Sequence, residues 1–167
     1  RIDKNILAEH TEGLICLSGC IAGELSQKIL ADDFFGAKET ALSYQTIFAP
    51  GDYYIEVHNH NLPEEKLVMP KLLALSKELG IPAVCANDVH YIRQEDHDIQ
   101  DVLMCIQMQR QVSEEDGIRF ETREFYLKSY EEMATYLEKP EKVVFFFTAN
   151  WCPDCQFIYP VMPEIEA

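Results

Sequence analysis

The chain has 167 residues, of which 47% are hydrophobic and 26% charged, and a formal net charge of −15. That length suits one domain of ordinary size, and so acidic a chain is a poor stand-alone binder of nucleic acid, because phosphate contacts need Lys and Arg. Its six cysteines follow no secretory signal, so reduced thiols, metal ligands or a redox pair are expected rather than a disulfide framework.

In chain order, a short helix is expected over residues 4–10. "GLICLSGC" (13–20) reads as a continuous apolar strand, of the type buried on both faces in a parallel sheet. Residues 22–48 carry helical signals, split near Asp32-Asp33. "DYYIEVHNH" (52–60) is a second strand, rich in aromatic and β-branched residues. A helix over 62–80 follows. Pro63 suits its first turn, Glu64 and Glu65 suit its positive end, and Gly80 suits its stop. Pro70 inside it predicts a kink or a late start. "IPAVCANDVH" (81–90) is a third strand, and 95–109 a helix with Ile99, Val102, Leu103 and Ile106 on one face. Residues 110–128 are polar with short strand-like pieces such as "FYLKS". Ser129 and Glu132 have the spacing of a capping box. The alternation over 13–109 implies an α/β fold with parallel strands and helical crossovers, amounting to part of a barrel.

In such a barrel, chemistry sits at the C-terminal ends of the strands. Here the first strand ends at Cys20, the second at Glu56, His58 and His60, and the third at Asp88 and His90. Thiolate and imidazole suit zinc, whereas carboxylate with imidazole also suits manganese or iron. If the third strand stays extended through 90, Asp88 and His90 share a face. Taken alone, each element has a plainer reading: Asp-x-His as a helix cap or hydrogen-bonded pair, and Cys20 as a small buried hydrophobe. Three polar strand ends in succession favour metal. His10 and His97 read as solvated surface residues, and Cys16, Cys85 and Cys105 as core.

The phrases "EGLICLSGCIAGELSQ", "DYYIEVHNHNLPEE", "LLALSKELGIPAVCANDVHYIRQEDHDIQDVLMCIQ" and "EFYLKSYEEM" resemble the PHP (polymerase and histidinol phosphatase) domain of bacterial DNA polymerase III alpha subunits, over residues 1 to about 135. The resemblance implies part of a distorted β/α barrel, with about three strand–helix units present. It also implies a metal cluster, of zinc or manganese, with Cys20, Asp88 and His90 at ligand positions and Glu56 and His60 as weaker candidates. The family's first motifs and its polymerase palm would lie outside this sequence. The chain is therefore expected to be a fragment that holds part of the site and does not polymerise DNA. The implied partners are the rest of the alpha chain and the replisome, with DNA reached only through other domains.

The tail, "VVFFFTANWCPDCQFIYPVMPEIEA", resembles the first half of a thioredoxin-like domain: an apolar strand, then a Trp-Cys-Pro-Asp-Cys turn opening a helix. A helix N-terminus and a neighbouring thiol favour a thiolate. Cys152 would then attack a disulfide and Cys155 would resolve the mixed species; a zinc half-site or two free thiols is the plainer alternative. The expected division is a C-terminal part of a PHP domain over 1–135 and an N-terminal part of a thioredoxin-like domain over 136–167, a chimera. No apolar run is long enough to span a membrane, and a cytoplasmic location is expected. Two further functions stand beside the polymerase reading: a thiol–disulfide oxidoreductase carrying a passenger N-terminal region, and a structural module without catalysis. Open strand edges and apolar faces predict marginal stability, aggregation or dependence on a partner chain.

Overall fold

The structure is a computed structural model, described for residues 3–112 and 119–135. Three parallel strands form its sheet in the order β1 (Cys16–Leu17), β2 (Tyr53–Val57), β3 (Ala83–Cys85). Cys16 pairs with Tyr53, and Ile55 with Ala83. The helices are α1 (Lys4–Ala8), α2 (Glu24–Leu30), α3 (Phe34–Ile47), α4 (Pro63–Leu79), α5 (His97–Gln107) and α6 (Tyr130–Ala134). This mixed α/β arrangement is compatible with part of a PHP-type fold.

Local sequence explains the boundaries. Asp32 turns the chain at φ 60, and the Asp33 side chain accepts a hydrogen bond from the Gly36 N–H, so α2 and α3 separate where the paired aspartates lie. Pro63 opens α4, with Glu64 and Glu65 in its first turn. Gly80 closes it at φ 66, a left-handed cap that glycine adopts without Cβ strain. Pro70 neither delays nor ends α4. It and Lys66 are both exposed, so water can reach the Lys66 carbonyl that proline leaves without a donor. Ser129 and Glu132 close a reciprocal capping box at the start of α6.

The core lies where α2, α3 and α4 meet one face of β2. Tyr53, Ile55 and Val57 are buried there, against Leu25, Ile29, Ala41, Val68, Leu72 and Leu75. The alternate residues Tyr54 and Glu56 are half-buried on the other face. The long apolar strand expected over 13–20 is corrected. Only Cys16 and Leu17 pair with β2, and Leu14 and Ile15 are exposed, because β1 is the outer strand and its far edge is unpaired among the described residues. The thioredoxin-like segment, with Cys152 and Cys155, lies outside the described residues. Among those that are described, no helix is long and apolar enough to cross a membrane.

Candidate metal centre

Polar side chains collect at the C-terminal ends of the strands, and hydrogen bonds between elements hold them there. Beyond β1, the Gly19 N–H donates to Glu56 Oε2 at 3.0 Å, and the Glu56 N–H donates to Ser18 Oγ at 2.9 Å. The loop carrying Cys20 is thereby tied to the end of β2. The other Glu56 oxygen accepts from His58 Nε2 at 2.7 Å. Cys20, Glu56, His58 and Glu65 line one small cavity, floored by Val68 and Leu72 of α4.

His60 is the most buried of these groups, at 1% exposure. Its backbone N–H donates to Glu65 Oε2 and its Nδ1 faces Glu65 Oε1, both at 2.6 Å, while Nε2 donates to the Asn87 carbonyl at 2.9 Å. Two acceptors therefore face the two ring nitrogens, so a proton must sit between Nδ1 and the carboxylate. Burial pushes the Glu65 carboxyl up, but the hydrogen bond and charge of His60 outweigh it and the net direction is down. The ionised Glu65 carboxylate is the form the surroundings favour. The ring also stacks on Phe125 at 4.0 Å and 7°, and Thr122 Oγ1 donates to the His60 carbonyl. Residues 119–135 are in this way fastened over the strand ends.

Asp88 and His90 do meet, though not as an extended strand would bring them together. β3 stops at Cys85, and Asp88 sits at φ 36, in the left-handed region that aspartate tolerates better than most residues. The turn places His90 Nε2 3.4 Å from Asp88 Oδ1, with both side chains part-exposed. The hydrogen bond from His90 lowers the Asp88 carboxyl below its ordinary range; burial opposes it, and the charges of His90, His58 and His60 add to it. His90 is anchored by its backbone N–H to the Phe125 carbonyl and packs against Phe120. Asp88 and His90 thus form one pair, and Cys20 lies with Glu56, His58 and Glu65. His58 stands between the two groups, lining the cavity with Cys20 and acting electrostatically on Asp88.

One ligand-capable atom each of His58, His60 and Glu65 lies within 4.8 Å of the other two. The sequence placed His58 and His60 at a strand end but gave Glu65 only a helix-terminal role; the five-residue step from His60 across the β2–α4 turn is the signal that joins them. His97 is a correction. It is buried rather than solvated, with Nε2 against the Phe120 carbonyl and Tyr91 edge-on to its ring. The surrounding segment 119–135, with no strong periodicity, concealed that cover. Cys85 and Cys105 are core thiols as expected, and burial pushes Cys85 up to about 11. Cys16 is only half-buried.

The PHP domain family model matches residues 1–60. DNA polymerase III subunit alpha of Treponema pallidum is 47% identical over 145 residues, 86% of this chain and 12% of that protein. The Borreliella burgdorferi subunit is 37% identical over 170 residues, covering 99% of this chain and 15% of its own length. That of Thermus aquaticus is 41% identical over 142 residues, 84% and 12% respectively. The chain thus spans 12–15% of the length of these relatives. The thioredoxin-like reading of the tail gains no support from them, since the Borreliella alignment runs through almost the whole chain. Residues 1–60 match the PHP domain, and over most of its length the chain is homologous to DNA polymerase III alpha subunits.

Proposed function

We propose that this chain is a part of a bacterial replicative DNA polymerase III alpha subunit and supplies the later portion of its PHP domain, to about residue 135. On this reading Cys20, Asp88 and His90 are metal ligands, with Glu56 and His60 as weaker candidates, and the metal is zinc or manganese. The observation that carries it is the Asp88–His90 pair, a lowered carboxyl beside an imidazole at a strand end and open enough to reach an ion. The Cys20 thiolate with imidazole fits zinc, and the carboxylate with imidazole at Asp88 and His90 also suits manganese. When bound, such an ion supplies an activated water and charge to stabilise phosphoryl oxygens, the chemistry of a phosphoesterase. The chain's own groups would then act as follows: Asp88 and His90 hold the ion, Glu56 orients His58 and the Cys20 loop, and Phe120 and Phe125 shield one side from water. Polymerisation, DNA contact and replisome association belong to the rest of the subunit.

The test is metal content. The purified chain, equilibrated with zinc or manganese and dialysed, should retain metal, and Asp88→Ala with His90→Ala should retain less of it per chain. Equal retention by the double variant would leave the pair as a structural contact. The structural-module reading has its own observation, since both nitrogens of His60 are satisfied by protein groups. The redox reading rests on the sequence Trp-Cys-Pro-Asp-Cys (151–155) alone. It requires reduction of a model disulfide by the chain and its loss in Cys152→Ser.

A further inference from the structure

The two buried histidines beyond β2 are arranged alike. His58 Nε2 is held by the Glu56 carboxylate and His60 Nε2 by the Asn87 carbonyl. A carboxylate or backbone carbonyl on the outer nitrogen is the usual support of a metal-bound imidazole, because it fixes the tautomer and leaves the inner lone pair for the ion. With the proton of His58 on Nε2, its Nδ1 carries a bare lone pair. That atom is buried and finds no hydrogen-bond partner among the described residues. A buried polar atom without a partner is uncommon and calls for an explanation. His58 and Glu65 line the same cavity, and the His58–His60–Glu65 ligand atoms lie within 4.8 Å of one another. At His60 the inner Nδ1 faces Glu65, with a proton between them.

We propose that His58, His60 and Glu65 form a zinc site of their own, in which the metal takes the inner nitrogens of both rings and the Glu65 carboxylate. Two imidazoles and one carboxylate make a borderline-soft set that suits zinc better than magnesium or calcium. Three protein ligands leave a tetrahedral ion one open position, and the adjoining cavity offers room for it. All three side chains are at least nine-tenths buried, so the site is enclosed rather than a chance surface cluster. The balance is simple. Zinc enters, the bond holding the proton between His60 Nδ1 and Glu65 breaks and that proton leaves to solvent, metal–ligand bonds replace the hydrogen bond, and no oxidation state changes. The site shares only His60, a weaker candidate there, with the first set, and does not depend on Cys20, Asp88 or His90.

The experiment is titration of the full chain with zinc alone, followed by calorimetry and metal analysis, for wild type, His58→Gln and the Asp88→Ala/His90→Ala pair. His58→Gln leaves the His60–Glu65 pair intact and removes only the proposed ligand. Zinc affinity should fall at least about 10-fold in His58→Gln, persist in the double variant, and be accompanied in wild type by release of about one proton. Nitrogen-15 spectra of wild type give a readout independent of any variant: zinc should shift His58 Nδ1 while its Nε2–H remains. Unchanged zinc affinity in His58→Gln, or an unshifted Nδ1 at saturating zinc, overturns the proposal. Zinc lost only in the Asp88/His90 variant sinks this site and upholds the earlier one; zinc lost only in His58→Gln does the reverse.

Discussion

At the scale of single residues, the His60–Glu65 pair is one of the groups through which the metal-free chain responds to acid. The Glu65 carboxyl is held below its ordinary value of 4.5. A carboxyl lowered on folding stabilises the native state above its unfolded value, and that stabilisation is lost as pH falls through the folded value. Glu65→Gln abolishes this dependence and, offering one acceptor oxygen where Glu65 offers two, leaves either the His60 ring N–H or its backbone N–H without an acceptor, at a cost of about 1–3 kcal/mol. Urea midpoints measured with chelator present should therefore fall more steeply for wild type than for Glu65→Gln as pH drops below about 4.5. Equal slopes would mean that the pair contributes nothing to acid unfolding. No sequence pattern announced this pair, because a glutamate in a first helical turn is ordinarily explained by the helix dipole alone.

At the scale of elements, α5 contrasts with α4. Both are amphipathic, but α4 turns Val68, Leu72 and Leu75 into the core, whereas Ile99, Leu103 and Ile106 of α5 are more than half exposed. Only His97 and Cys105 of α5 are buried. Substituting an exposed apolar residue typically changes stability by less than about 0.5 kcal/mol. Leu103→Lys with Ile106→Lys should thus leave the thermal midpoint almost unmoved while weakening any self-association seen in sedimentation at rising concentration. A large loss of stability in that variant would show that the face is covered in the folded chain. The periodicity of α5 was legible in the sequence, as was its apolar stripe. Its exposure was not, since a 3.6-residue period says which residues share a face and not what lies opposite.

At the scale of the whole molecule, the strand–helix order, the break at Asp32-Asp33 and the helix-end signals at Pro63, Gly80 and Ser129 could be read directly, since each depends on a few neighbouring residues. The length of β1 could not. "GLICLSGC" has the composition of a strand covered on both sides, but pairing and burial depend on what lies beside it, and here β2 lies on one side only. The site divides in the same way. Cys20, Glu56, His60, Asp88 and His90 were visible as polar strand ends. Glu65 joins the site only through a turn, and Asp88 meets His90 through a left-handed residue rather than an extended strand. Residues 119–135 also had no recognisable period, yet Phe120, Thr122 and Phe125 close one side of the strand ends.

Glu56 spends each of its oxygens on a different element: one accepts from the Gly19 backbone, the other from His58 Nε2. An amide of the same shape could still accept from Gly19 but would have to donate toward His58. The imidazole would then carry its proton on Nδ1, and its lone pair would turn from the interior to the amide. Replacing one oxygen by NH2, several bonds away from the zinc proposed at His58, would therefore reverse the handedness of the ring's hydrogen bonding and disarm a ligand without removing it.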